Sequence, residues 1–169
     1  MVSLVDSEKW APLIGRVFIA CGSIERTTHE CIRDWAGEHI HKHFSRARLS
    51  QRIDLAHDLA RIQDAKESTK EAFCNSLLEA KALIQHRNLI AHNPLCLMLL
   101  QDALDQPLIE AIAHTTDDGK FLSYEELAVI VEKVERCAEE IGHNFVAFRV
   151  EKIDFESLKK FPGLRGARA

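Results

Sequence analysis

Apolar residues recur every three or four positions over long stretches of this 169-residue sequence, and only seven glycines and four prolines interrupt them. This spacing matches the α-helical turn and places the apolar side chains on one face. It predicts helices over residues 7–36, 45–63 and 66–92, and another from residue 123. We therefore expect a mainly α protein, a four- to five-helix up-down bundle, as a single domain over residues 1–155.

Two segments depart from the helical pattern. Short apolar runs at residues 95–100 and 108–114 flank a polar loop, which is compatible with a small inserted β-hairpin at about residues 95–115. The last helix has a clear start, because Ser123 and Glu126 form an S-x-x-E capping box. Residues 156–169 are basic and contain both proline and glycine, so they are expected to form a flexible tail.

Composition excludes several classes of protein. The longest apolar run has six residues, whereas a membrane span needs about 20, and the N-terminus lacks the features of a secretory signal. These features predict a cytoplasmic protein without a membrane partner. Five widely spaced cysteines without a C-x-x-C pair are typical of reduced, mostly buried thiols rather than a disulfide framework or a structural zinc site.

The third predicted helix contains a charge in an unexpected place. Arg87 lies one turn from Leu83, Ile84, Ile90 and Ala91, near the edge of the densest apolar stripe. A guanidinium stays charged in proteins, so burying it without a partner costs several kcal/mol. Either a carboxylate pairs with Arg87, or this stripe faces a cleft or a subunit interface.

Residues 87–94 read R-N-L-I-A-H-N-P. This segment resembles the motif of the HEPN family (higher eukaryotes and prokaryotes nucleotide-binding domains). The family's motif is an Arg, usually followed by a polar residue, and then a His after four to six intervening residues. It occurs late in a long helix of a four- or five-helix bundle. Arg87, Asn88 and His92 match it one by one, and the resemblance is confined to this motif and the general architecture.

The resemblance implies a function. Many HEPN proteins are metal-independent endoribonucleases, active as homodimers whose two Arg/His pairs meet at the interface. Many act as toxins or in defence against phage, and others have lost catalysis. For this chain it implies that Arg87, Asn88 and His92 are catalytic and that no metal or other cofactor is needed. The implied partners are a second copy, RNA, and an antitoxin or regulatory protein.

The residue types suit RNA cleavage without a metal. Histidine titrates near neutral pH and can accept the proton of the ribose 2′-hydroxyl. Arginine offers a permanent charge in a planar fork that matches phosphate oxygens. Asn88 lies one turn before His92, where its amide could orient the imidazole or bind a phosphate oxygen.

The positions of Arg87 and His92 raise a geometric difficulty. They are five residues apart, hence about 140° apart on an ideal helix, too far round to form one tight pair. Two arrangements overcome this: the helix unwinds before Pro94, or a two-fold dimer lets each chain supply half of the site.

A second candidate surface lies over residues 39–52, from the connector into the start of the second predicted helix. Lys42, Arg46, Arg48 and Arg52 form the densest cationic patch of a chain whose net charge is −4. This patch is either a track for an RNA backbone or an ordinary charged connector. Three alternating histidines at 39, 41 and 43 would lie on one side of an extended segment. No nearby carboxylate or thiol completes a metal site there, so a solvated loop is the expectation.

Two other interpretations stay open. The same bundle could be a non-catalytic dimerisation or nucleotide/RNA-binding module, in which the motif fixes an interface. It could also be a purely structural helical protein in which a carboxylate pairs internally with Arg87.

Overall fold

A computed structural model describes residues 5–99, 108–117 and 120–151, and this part of the chain is mainly helical, as predicted. The four helices of the described part are α1 (Ser7–Phe44), α2 (Leu49–Arg61), α3 (Glu67–His92) and α4 (Tyr124–Glu151). Helix α1 packs against α2 and α4, and α3 packs against the same two helices. The predicted tail at residues 156–169 lies outside the described residues.

Among the described residues between α3 and α4, three strands form a small antiparallel sheet. The strands are β1 (Leu95–Leu99), β2 (Leu108–Ala113) and β3 (Phe121–Ser123), paired in the order β1-β2-β3. The two apolar runs of the sequence correspond to β1 and β2. The third strand was not predicted, because its three residues are too few to show an alternating pattern.

The end of α1 differs from the sequence prediction. The helix was expected to end at residue 36, but it changes direction at Gly37, where φ is +83°, and then continues to Phe44. A positive φ is easily adopted only by glycine, which explains the bend. At Gly22 the helix continues without a break.

The segment after the bend returns towards the body of α1. His41 Nε2 lies 3.1 Å from His29 Nδ1, within hydrogen-bonding distance. The prediction of an extended or looped histidine segment is therefore wrong, because His39, His41 and His43 all belong to the last helical turns.

Local signals place two helix ends correctly. Helix α3 ends at His92 and Asn93 is extended, as the proline at position 94 requires. At the start of α4, the backbone N–H of Ser123 donates to Glu126 Oε2 (2.9 Å), and the N–H of Glu126 donates to Ser123 Oγ (3.2 Å). This capping box confirms the predicted start.

Helix α2 is shorter than the predicted range of 45–63, because it begins at Leu49 and ends at Arg61.

The helices enclose one apolar core with an aromatic group near the bend. Trp35 of α1 makes edge-to-face contacts with Phe73 of α3 and with Phe145 and Phe148 of α4, at ring-centroid distances of 5.2–5.8 Å. Such geometry adds to the gain from burying these rings. This cluster therefore joins α1, α3 and α4 far from the N-terminus of α1.

The cysteines are all unpaired, and four of the five are buried. Burial raises the pKa of the Cys137 thiol to about 12, so this group stays protonated at physiological pH.

No helix in the described ranges has both the length and the apolar composition needed to cross a bilayer.

At the other end of α1, Glu110 of β2 joins the sheet to the helix. Its carboxylate accepts a hydrogen bond from the Asp6 backbone N–H (2.7 Å) and another from Trp10 Nε1 (3.0 Å). Both bonds lower the pKa of Glu110 below its ordinary value of 4.5, and the bond from the Asp6 backbone has the larger effect. The carboxylate therefore stabilises the fold above pH 4.5, and this contribution is lost as the pH falls through the lowered pKa.

We expect Glu110→Gln to lower the free energy of unfolding at pH 7, because one of the two donors loses its acceptor. The variant should also lose less stability than the wild type on acidification below pH 4.5, since it has no carboxylate to protonate there. Urea unfolding at a series of pH values measures both effects. Glu71→Gln, an exposed change on α3, is the control. Parallel pH profiles for wild type and Glu110→Gln would contradict the role given to this carboxylate.

Candidate active site

A cleft of about 880 Å³ lies between α1, α3 and the connector that leads into α2. Arg87, Asn88 and His92 of α3 all line it, and so do Arg46 and Arg48 of the connector. The structure thus brings together two groups of residues that were predicted separately. Lys42 is not among the described residues that line the cleft.

Arg87 is half-buried at this cleft. Its Nη1 donates to Asn88 Oδ1 (3.3 Å), and its Cζ lies over the ring of Phe18, 5.4 Å from the ring centroid. No carboxylate of the described ranges forms an ion pair with it. The sequence left two environments open for Arg87: pairing with a carboxylate, or a cleft or subunit interface. The structure places Arg87 at a cleft, where its charge is available to an anionic ligand.

His92 is exposed and lies in the last turn of α3. The helix continues to this residue, so α3 does not unwind to bring His92 closer to Arg87. Both side chains nevertheless line the same cleft, because an opening of this size spans more than one face of the helix.

The residue after His92 connects α3 to the sheet. Asn93 Nδ2 donates to the Leu89 carbonyl (2.7 Å), and Asn93 Oδ1 accepts from both the backbone N–H and the hydroxyl of Thr115 (2.9 Å each). The first bond satisfies a carbonyl that the end of the helix leaves free. Asn93 thereby holds the turn that carries His92 against the turn between β2 and β3.

Arg52 has a different environment from the other cations of its segment. It lies in the cleft lining but is only 4% exposed, whereas Arg46 and Arg48 are exposed. Its Nη2 forms an ion pair with Glu25 of α1, and its Nη1 donates to the Ser45 carbonyl (3.1 Å). Arg52 therefore ties α2 to α1 and to the connector.

The α1 side of the cleft was not predicted. Phe18, Cys21, Gly22 and Glu25 line it, and their spacing of three, four and seven residues places them on one face of the helix. The sequence signal for this side of the cleft was the i, i+4, i+7 spacing of Phe18, Gly22 and Glu25. This spacing places an aromatic ring, a glycine and a carboxylate on one face of the helix.

Cys21 lines the cleft, but its environment disfavours the reactive thiolate form. Burial raises the pKa of its thiol; the Arg87 cation opposes this effect and the Glu25 carboxylate adds to it. The thiol therefore stays protonated near neutral pH, and a protonated thiol is a poor nucleophile.

A second, shallower groove of about 660 Å³ shares Gly22 and Glu25 with the cleft and contains the His29–His41 pair. Burial lowers the pKa of His29, and the charges of Arg52 and His41 add to this effect. No cluster of three or more His, Cys, Asp or Glu side chains suited to a metal ion occurs within the described ranges.

No family model, no curated protein and no solved structure matches this chain. The composition and geometry of the cleft are therefore the basis for inferring what this chain does.

Asn93→Ala should lower the free energy of unfolding by about 1–2 kcal/mol, because the substitution removes one partly buried hydrogen bond and two exposed ones. Thermal or urea unfolding followed by circular dichroism measures the change. Asn75→Ala, an exposed asparagine of the same helix, is the matched control and should change stability little. Equal stabilities of the two variants would show that Asn93 does not hold the end of α3.

Proposed function

We propose that this chain is a HEPN-like metal-independent endoribonuclease of the toxin or phage-defence type, built as an up-down helical bundle and active as a homodimer. One observation carries the proposal: Arg87, Asn88 and His92 line a single cleft together with Arg46 and Arg48. The cleft thus combines a group that can move protons with cations that can bind phosphates.

The chemistry follows from these side chains. His92 accepts the proton of a ribose 2′-hydroxyl, and the oxygen attacks the adjacent phosphorus. The bond to the 5′-oxygen breaks, and an acid protonates that leaving oxygen. The products are a 2′,3′-cyclic phosphate and a 5′-hydroxyl end. In a homodimer, His92 of the partner subunit is available as the acid.

Arg87 stabilises the charge that develops on the phosphate oxygens during this reaction. It suits this role because it has no carboxylate partner among the described residues and is half-buried, where its field is screened less than in bulk water. Asn88 accepts a hydrogen bond from Arg87 and thereby orients the guanidinium.

The homodimer is supported by the apolar surface beside the cleft. Ile19, which follows the cleft-lining Phe18 on α1, is 73% exposed. Exposed apolar side chains at the edge of a polar cleft are typical of a surface that another chain covers. A second copy at this position would bring two Arg/His pairs near each other.

The purified protein should cleave single-stranded RNA in excess EDTA. His92→Ala should lower the rate by about 10² to 10⁴-fold, because the proton acceptor is lost. Arg87→Ala should lower it by about 10² to 10³-fold, because the developing charge is no longer stabilised. A gel assay with end-labelled RNA measures the rates.

His114→Ala, a histidine outside the cleft lining, is the matched control and should keep wild-type activity. Analytical ultracentrifugation of all variants checks that they remain dimeric. Equal trace cleavage by the wild type and both cleft variants would refute the endoribonuclease.

Arg46 and Arg48 should contact the RNA backbone. Arg48→Ala should reduce the salt dependence of RNA binding, lowering the slope of log K against log salt by about 0.7, because one fewer counterion-releasing contact forms with a single strand. Lys42→Ala removes a nearby exposed cation that lies outside the cleft lining, so it should leave the slope close to that of the wild type. Fluorescence anisotropy at several salt concentrations measures both. Equal slopes for the two variants would contradict the RNA track.

One observation favours a second candidate, a non-catalytic module that binds RNA or nucleotides. His92 makes no hydrogen bond to another described residue, so nothing in this part of the chain orients its imidazole. Salt-sensitive RNA binding without any cleavage product would select this candidate over the first.

A further inference from the structure

The α1 side of the cleft has a charge that a phosphate-binding surface would not be expected to have. Glu25 is the single carboxylate among the described residues that line the cleft, where the cations are Arg46, Arg48, Arg52 and Arg87. Its side chain is 44% exposed. A carboxylate repels phosphate oxygens, so the nearest part of a bound RNA strand should be an uncharged group that donates hydrogen bonds.

The carboxylate of Glu25 is held in place and is still able to accept. Its Oε1 pairs with Nη2 of Arg52, which is itself buried and bonded to the Ser45 carbonyl. The other oxygen, Oε2, accepts no hydrogen bond from a described residue. An ionised carboxylate has about four acceptor positions and no donor, so Glu25 presents a fixed acceptor to the cleft.

The helix surface next to Glu25 has room for a flat ring. A Cβ atom added at Gly22 would meet no atom within 4 Å apart from its own helix backbone. One turn further towards the N-terminus, Phe18 provides partly exposed aromatic surface. Nucleic-acid bases bind well to aromatic and Arg surfaces of this kind.

We propose that Phe18, Gly22 and Glu25 form a subsite for a guanine base of the RNA, an inference that rests on RNA as the ligand of this cleft. The base lies against α1 at Gly22, and the Glu25 carboxylate accepts from guanine N1–H and N2–H. The flanking phosphates then lie towards Arg46, Arg48 and Arg87.

The hydrogen-bonding pattern of the bases selects guanine. Its Watson–Crick edge has two adjacent N–H donors, which match an acceptor-only carboxylate. Adenine and cytosine each place a ring nitrogen lone pair beside their amino group, and uracil places its N–H between two carbonyls. These lone pairs repel a carboxylate, so the other three bases bind more weakly.

Calorimetric titration with 5′-mononucleotides tests this subsite without requiring cleavage. Wild-type protein should bind GMP at least tenfold more tightly than AMP, CMP or UMP. It should bind IMP, which lacks the 2-amino group, about tenfold more weakly than GMP, because one hydrogen bond to a charged group is lost. Glu25→Gln keeps an oxygen for Arg52 and should abolish both preferences. Glu139→Gln, exposed on α4, should retain them.

A second variant keeps the test independent of the ion pair with Arg52. Gly22→Leu adds a side chain over the open helix surface and favours the helix, so it should weaken binding of GMP at least tenfold without lowering the melting temperature. Wild-type binding without guanine preference would overturn the subsite, as would an unchanged preference in Glu25→Gln. If Glu25→Gln lost affinity equally for all nucleotides, the subsite would also be overturned, because Glu25 would then only support Arg52.

Failure of this inference can be told apart from failure of the proposed function. RNA cleavage in EDTA without selectivity for guanine sites would overturn the subsite alone. Guanine-selective binding that Glu25→Gln abolishes, in a protein that cleaves no RNA, would support the subsite and overturn the endoribonuclease.

Discussion

The cleft depends on an ion pair between the buried Arg52 of α2 and the partly exposed Glu25 of α1. A guanidinium that is almost fully buried is costly unless its charge is compensated and its N–H groups are bonded. Glu25 compensates the charge of Arg52 and accepts from Nη2, and the Ser45 carbonyl accepts from Nη1, whereas Nε has no hydrogen-bond partner among the described residues. These two acceptors belong to two other parts of the chain. The same contacts that make the burial possible therefore set the distance between α1, α2 and the connector.

The α3 half of the candidate site and most of the helices were predictable because their signals are local. Pro94 ends α3 through a clash with its neighbour, and Ser123 starts α4 through its own hydrogen bonds. Arg87 was conspicuous because a charge conflicts with the apolar pattern around it. Each of these interpretations requires only residues within one or two helical turns.

The α1 half of the site was not predictable in the same way. Periodicity shows which face of a helix is apolar, but it does not show which helix that face meets. Gly22 and Gly37 look alike in sequence, yet one lies within a continuous helix beside the cleft and the other bends the chain. The positive charge of residues 42–52 likewise could not separate Arg52, which is buried, from Arg46 and Arg48, which are exposed.

The bend at Gly37 gives the cleft its cationic edge. If α1 continued straight, the seven residues after Gly37 would add about 10 Å to the rod and carry Arg46 and Arg48 away from α3. Only an achiral residue adopts the bent backbone without steric cost. The positions of Arg46 and Arg48 beside the motif on α3 thus depend on the stereochemistry of one Cα atom, fifty residues before Arg87 in the chain.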